Sequence, residues 1–248
     1  MDGFEARSPP MSIGFRTEFS DRAALDMAVI ELYNMTPESE NLIRRNERIA
    51  LSSGYEQDYG LVMEGFVSNV HAYYDRVDRV CEVEMLDGVP ALLETIEEDL
   101  TGQRAIDVME RLLDDVGIEV GAMELPDDVT LERYEADDSI ITVLGHLADE
   151  CGGKFYITDG IAYAVPHDYS VERTIAINAD TGLIGLPTRI DSDDGRIWEI
   201  RTLLDHRIRT GMRVEVSSGT ADGVFRVVRG EHRSGGGDHT TRIEVADI

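Results

Sequence analysis

Several groups of residues have types and spacings that could do chemistry. Asp180-Thr181-Gly182 matches the aspartic-protease tripeptide, in which paired carboxylates share a proton to activate water. That motif follows apolar residues on a strand end and has a small residue after the glycine. Here Asn178-Ala179 precede it and Leu183 follows, so a turn is the expected role. Asp191-Ser192-Asp193-Asp194-Gly195 has the acid density of a calcium loop. If Gly195 took the sixth loop position, however, Ile190 would occupy the first, where a carboxylate is required, so a hairpin turn is expected instead. His232, Asp238 and His239 flank the triple glycine at 235–237 without a three-ligand spacing and read as an exposed loop. Ser52-Ser53-Gly54 and Ser217-Ser218-Gly219 have no His and Asp at nucleophile spacing and read as turns. Cys81 and Cys151 lie far apart in apolar-patterned segments, as buried free thiols do. The site reading is therefore negative: catalytic residues none, cofactor-binding residues none, metal ligands none, cofactors none.

The elements that carry these residues are strands at both ends of the chain and helices in the middle. Residues 11–19 read as a strand. Residues 23–33 are ambiguous, since alanine and leucine favour a helix while MAVIELY suits a buried strand. Thr36-Pro37-Glu38 begins a short helix, expected to end near Arg45. Strands follow at 48–53, 60–71 and 79–86, the last with Cys81, Val83 and Met85 on one face and Glu82 and Glu84 on the other. In the middle, Ile106, Met109, Leu112, Leu113 and Val116 fall at helical spacing and form a core stripe that Gly117 ends. A second helix from Ser139 places Ile140, Leu144, Leu147 and Cys151 on one face. KFYIT, Asp159-Gly160 and IAYAV then make a tight hairpin. From 171 onward strands return as VERTIAIN, RIWEIRTLL, MRVEVSS, GVFRVVRG and TTRIEVA, between Gly- and Asp-rich turns.

Charge constrains the setting. The 50 acidic residues outnumber 23 basic ones, giving −27, and Lys154 is the only lysine. Such a surface repels itself unless salt screens it, and the Debye length falls from about 10 Å at 0.1 M to roughly 3 Å at 1 M. The acids are spread along a chain that is 42% hydrophobic, which argues against a disordered acidic tail. A halophile's protein is expected, most simply from a salt-in archaeon or its virus. An acidic surface is a poor general binder of nucleic acid. No apolar run approaches 18 residues, so no membrane insertion is expected, and MDGFEARSPP lacks the pattern of a signal peptide.

The two strand-rich ends resemble each other. IALSSG (49–54) lines up with VEVSSG (214–219), GLVMEGFVSNV (60–70) with GVFRVVRG (223–230), and Glu82-Val83 with Glu244-Val245. Shared order over several elements indicates an internal duplication.

The first of these blocks, IELYNMTPESENLIRRNERIALSSGYEQDYGLVMEGFVSNV, resembles the opening barrel of tailed-phage tail (baseplate) hub proteins. TGLIGLP (181–187), LLDHRIRTGMRVEV and FRVVRGEHRSGGGDHTTRIEV resemble the closing barrel. The family usually carries asparagine and proline where this chain has Asp205 and His206, and a tryptophan near Thr240-Thr241. The resemblance implies an α+β, mainly β fold with two tube-type β-barrel domains (1–88 and 171–248) flanking a small α/β insertion (89–170). It implies a homotrimer whose six barrels mate with a sixfold tail tube. The implied partners are the tail tube or distal tail protein, the tape measure protein and a tail-tip spike or fibre protein. Viral DNA would pass through an acidic channel without specific binding. The implied place is the virion's tail tip, after assembly in the host cytoplasm. Two other readings compete: a halophilic aspartic-peptidase-like enzyme using Asp180, and a halophilic cytosolic binding protein whose middle block holds a ligand. Only the hub needs both barrels.

Overall fold

The computed structural model describes residues 4–56, 58–192 and 195–248. The first part of the chain forms β1 (Ile13–Ser20), β2 (Met27–Tyr33), α1 (Pro37–Glu40), β3 (Arg48–Tyr55), β4 (Asp58–Asp75) and β5 (Asp78–Asp87). A 3-10 turn leads into β6 (Thr95–Asp99), α2 (Ala105–Val116), β7 (Glu119–Met123), β8 (Glu135–Ser139), α3 (Ile140–Glu150), β9 (Gly153–Thr158) and β10 (Ile161–Pro166). The last part forms β11 (Val171–Ile177), β12 (Thr188–Ser192), β13 (Gly195–Leu203), β14 (Met212–Ser217), β15 (Asp222–Gly235) and β16 (Asp238–Asp247). The fold is α+β and mainly β.

Burial settles what local propensity leaves open. Over Met27–Tyr33 the residues Ala28, Ile30 and Leu32 are buried and their neighbours are not, so the segment 23–33 resolves as a strand from Met27 on. α1 is shorter than expected and stops at Glu40. Thr36 Oγ1 accepts the Ser39 N–H as an N-cap, but the helix buries no residue and so gains no tertiary support for further turns. α2 buries Ala105, Val108, Met109, Leu112 and Leu113, and Gly117 ends it at φ 72°, a left-handed conformation that favours glycine. β6 (TIEED) and β8 (EADDS) were not expected as strands. They lack the β-branched pattern and form because they pair with each other.

The two ends share one eleven-stranded sheet, ordered β12-β13-β16-β15-β1-β2-β5-β4-β3, with β14 on β15 and β11 parallel to β14. This differs from two separate closed barrels: among the described strands no barrel closes by pairing. The physical reason lies in β1, which gives one edge to β2 and the other to β15, so the sheet continues from one half into the other. Within it each half repeats one pairing order, β1-β2-β5-β4-β3 and β12-β13-β16-β15-β14. The repeat extends to irregularities. β4 bulges against β5 between Val67 and Asn69, and β15 bulges against β16 between Val227 and Arg229.

These bulges fix the alignment of the halves. Val67 falls on Val227 rather than on Gly230, and Glu84-Met85 rather than Glu82-Val83 stands with Glu244-Val245. Both corrections arise because the paired β3–β4 hairpin, Arg48 to Phe66, is longer than the β14–β15 hairpin, Arg213 to Arg226, which a comparison of strings cannot place. Ile49–Ser52 and Val214–Ser217 do occupy corresponding strands, with Ser218-Gly219 beyond the end of β14: Arg48 pairs with Phe66 as Arg213 pairs with Arg226.

Three cores form. The first gathers Ile30, Leu51, Met63, Val67, Cys81, Val83 and Met85. The last gathers Ile200, Val214, Val216, Phe225, Val227, Ile243 and Val245. The middle core packs α2 and α3 on the β7-β10-β9 sheet through Leu113, Leu144, Leu147, Phe155 and Ile157. β1 contributes Phe15 to the first core and Phe19 to the last, and Leu204 crosses from the second half into the first core. Burying such side chains supplies roughly 1.5–3 kcal/mol each.

Candidate assembly interface

The chemical motifs fall in separate, structural places. Asp180 is an exposed turn residue between β11 and β12. Asn178 Oδ1 accepts the Asp180 and Thr181 N–H groups, and Thr181 Oγ1 donates to the Ala176 carbonyl. An exposed Asx turn is not the enclosed carboxylate pair that peptidase chemistry requires. Ser192 pairs with Gly195 across the β12–β13 hairpin, while Asp193 and Asp194 of the calcium-loop reading lie outside the described residues.

His232, Asp238 and His239 are not brought together on a ligand. His232 is buried, and its Nε2–H donates to the Ile208 carbonyl at 3.2 Å, which leaves Nδ1 to accept from Thr241 Oγ1 at 2.8 Å. Burial first, and the Arg209 charge second, push its pKa down to about 3. It is a core histidine held neutral, not the exposed loop residue expected. His239 Nδ1 meets Ser234 Oγ, and Asp238 receives Arg201. Among the described residues no group of three or more His, Cys, Asp or Glu could hold a metal ion. Ser52-Ser53 are paired residues within β3 rather than the turn expected, because the β3–β4 ladder continues to Tyr55 and Asp58, whereas Ser217 ends β14 and Ser218 Oγ donates to the Ala221 carbonyl within the turn that follows. Cys81 and Cys151 are free and buried in different cores.

Three features of the sheet bear on assembly. First, its polar face is a lattice of charge. Along β1, β15, β16 and β13, Arg16 contacts Glu18 (2.6 Å) and Glu231 (2.9 Å), Arg229 contacts Glu244 (2.8 Å), and Arg242 contacts Glu199 (2.7 Å). On the first half the same face carries Glu31, Glu82 and Glu84, opposite the buried Ile30, Val83 and Met85. The face is thus ion-paired over the second half and acid-rich over the first, rather than uniformly acidic. Exposed pairs of this kind contribute about 0–1 kcal/mol each, so they set surface chemistry more than stability.

Second, buried charges bind the three cores together. Lys154, the lone lysine, is buried and donates to Asp21 Oδ2 (2.6 Å) and the His167 carbonyl, while Arg226 reaches the same Asp21 oxygen (2.8 Å). A cleft of about 490 Å³ opens there, in which Asp21, Lys154 and Arg226 are committed to these internal pairs while Arg22 and Asp149 also line it. Arg209 in the second half donates to Asp159 of the middle block (2.7 Å) and to the Leu61 carbonyl of the first half (2.7 Å). Beside it, Asp87 Oδ1 accepts the Gly160 N–H (2.8 Å), and burial pushes its pKa up to about 7. Asp26 is likewise raised by burial and by Asp87. Sequence reasoning missed these residues. Their signal is an acid or lysine inside an apolar run, which becomes visible only when partners distant in sequence are placed.

Third, besides the outer edges of β3 and β11, the sheet leaves two edges without a strand partner among the described residues that the repeat relates to each other. Beyond its pairing with β3, β4 continues as a ribbon with β5. From Asn69 to Asp75 its other edge has no strand partner among the described residues, and His71, Ala72 and Tyr74 are exposed. Among the described residues β12 pairs with β13 alone and stands at one end of the sheet.

No family model matches the sequence, and no curated protein does. Solved structures do match. The tail protein from Neisseria meningitidis aligns over 94% of this chain and 91% of its own at a TM-score of 0.66, with 11% identity. The prophage MuSo2 tail protein from Shewanella oneidensis aligns over 96% and 94%, with a TM-score of 0.67 and 9% identity. The fold is that of phage tail proteins. The E. coli c3393 protein is a type VI secretion system component with structural similarity to T4 bacteriophage tail proteins. It aligns over 98% of this chain and 76% of its own at a TM-score of 0.74, with 12% identity. At these identities the likeness is one of fold. The sequence resemblance, drawn from short motifs at both ends, pointed to the same group of assemblies.

Proposed function

We propose that this chain is a non-enzymatic structural protein, the homotrimeric hub of a viral tail or baseplate. Its two strand-rich halves (1–88 and 171–248) act as tube-type modules around a channel, and the block at 89–170 sits outside them. The observation that carries this reading is the repeated pairing order, down to the shared bulge, within a tail-protein fold. A threefold ring mates with a sixfold tube only if each subunit offers two near-equivalent surfaces, and the duplication supplies both.

The hub joins the tail tube or distal tail protein to a tip spike or fibre protein. Its channel passes the tape measure protein and then DNA, which it does not bind specifically. The ion-paired second half and acid-rich first half of the polar face offer phosphate few free cations. A secretion-system hub would use the same architecture. With −27 net charge and a single lysine, the host is a halophilic archaeon, and the hub assembles in its cytoplasm before joining the virion's tail tip. Purified protein in 2 M salt tests the reading: native mass measurement should give a trimer, and images should show a central channel. A monomer or a closed dimer would refute it.

A further inference from the structure

The repeat implies how the open edges are filled. In the second half, one edge of β15 is covered by two strands in series: β14 over Asp222–Arg226, then β1 over Arg229–Ser234. In the first half, β3 covers β4 only as far as Phe66, and the stretch corresponding to the β1 contact is bare. The missing strand is the counterpart of β1. By pairing order this is β12, because the β12–β13 hairpin is to the second half what β1–β2 is to the first. Within one chain β12 cannot fill the gap, since it stands at the opposite end of the sheet. We propose that β12 of one copy pairs antiparallel with the distal half of β4 of a second copy, repeating between subunits the β1·β15 junction found within each. This rests on the hub reading and assigns its subunit contact to named edges.

The repeat also sets the register. Arg16, Thr17 and Glu18 correspond to Thr188, Arg189 and Ile190 through the pairs that β1 and β12 make with β2 and β13. Glu231, His232 and Arg233 correspond to His71, Ala72 and Tyr73 through the bulges. Within the chain Arg16 faces Arg233, Thr17 faces His232, and Glu18 faces Glu231. Between chains Thr188 therefore faces Tyr73, Arg189 faces Ala72, and Ile190 faces His71.

The composition of these edges suits an interface. Where the internal junction is lined by Arg16 and Glu231, the open β4 edge carries His71 and Tyr73 stacked at 5.6 Å. Thr188 and Ile190 would oppose these rings, and β-branched residues facing aromatics are favourable cross-strand pairs. A ribbon edge left bare with such side chains is an aggregation hazard unless a partner covers it. The contact joins two different edges, so copies add head to tail. Closure after three gives six modules in a ring, with the distal β4 edge and the β12 edge of every copy filled.

Paired cysteines test the register. Cα atoms of facing residues lie about 4.5–5.5 Å apart, within the roughly 4.4–6.8 Å that a disulfide spans. Cys151 is buried and stays out of the reaction; Cys81 faces Ala72 across the β4–β5 pair, so the Ala72→Cys chain also carries Cys81→Ala. A chain carrying Ala72→Cys with Arg189→Cys, or His71→Cys with Ile190→Cys, should oxidise to a covalent trimer on non-reducing gels in high salt. The single variants should not, and neither should the slipped pair Val70→Cys with Arg189→Cys. Protein that is trimeric by native mass, yet crosslinks in neither facing pair or only in the slipped one, would overturn the edge assignment and leave the hub reading standing. Protein that stays monomeric would end both. Hydrogen exchange on the unmodified chain gives a second readout. Amides at 69–74 and 188–192 should exchange at least about tenfold more slowly in the assembly than in dilute monomer, and unchanged rates would overturn the proposal.

Discussion

Replacing Asp87 with asparagine should change how stability responds to pH more than it changes the fold. Asp87 is 2% exposed at the end of β5, where it accepts the Gly160 N–H across the boundary with the middle block. An asparagine carbonyl can keep that bond. Burial raises the carboxyl from an ordinary 3.8 to about 7 in the folded chain. The folded state therefore binds the proton more tightly than the unfolded one, and stability falls as pH rises from about 4 through 7. Between pH 5 and pH 8 the carboxylate costs about 3 kcal/mol, from roughly 1.4 kcal/mol per pH unit below the folded pKa. His232 acts in the opposite direction. Its folded pKa of about 3 lies below the ordinary 6.5, so acidification to pH 5 removes about 2 kcal/mol as the unfolded histidine takes up a proton. In the wild-type chain these two contributions nearly cancel. Asp87→Asn removes the first of these contributions, so the variant should gain stability at pH 8, and its change from pH 8 to pH 5 should be about 3 kcal/mol less favourable than that of the wild-type chain. Urea unfolding at fixed high salt measures this directly. Parallel pH dependences for the two proteins would refute the assignment of a buried, destabilised carboxylate at position 87.

Salt should stabilise the protein strongly: melting temperature should climb steeply between about 0.1 M and 2 M, where screening shortens from roughly 10 Å to below 3 Å, and a flat profile would remove the halophile reading. Asp180→Asn should leave folding and assembly intact, because the turn is organised by Asn178 and Thr181. The unmodified protein should cleave no peptide library at acidic or neutral pH, and activity lost on this substitution would restore the peptidase reading. Leu204→Ala should cost about 2–5 kcal/mol in unfolding experiments, because Leu204 is 3% exposed and fills the core of the other half. A loss below about 1 kcal/mol would show that the halves are not coupled through it.

Much of the fold was legible wherever periodicity was strong. The helix about Met109, Leu112 and Leu113, the hairpin about Asp159-Gly160 and the alternation Cys81, Val83, Met85 all appear as elements with the expected faces, although Ile106 lies outside the core and Ala105 and Val108 are buried instead. The duplication was legible as shared order, but its register was not. Short apolar strings align equally well when slipped, and only the paired bulges at Val67 and Val227 fix them. The acidic strands β6 and β8 were illegible because pairing, not propensity, makes them. The buried set of Lys154, Asp21, Arg226, Asp87 and Arg209 was illegible for a related reason. Each is ordinary in its own segment and acquires its role from partners many residues away. The open edges of β4 and β12 are of the same kind, since a strand shows in a sequence but its lack of a neighbour does not.

The most direct test of the central claim is the symmetry of the assembly itself. Electron cryomicroscopy of the purified protein in 2 M salt should show a ring of three subunits around an open channel. Six β-modules should stand at near-equal spacing, and each β12 should be paired with the β4 of its neighbour. A monomer, a dimer without a channel, or a ring whose two halves do not alternate around the axis would contradict it.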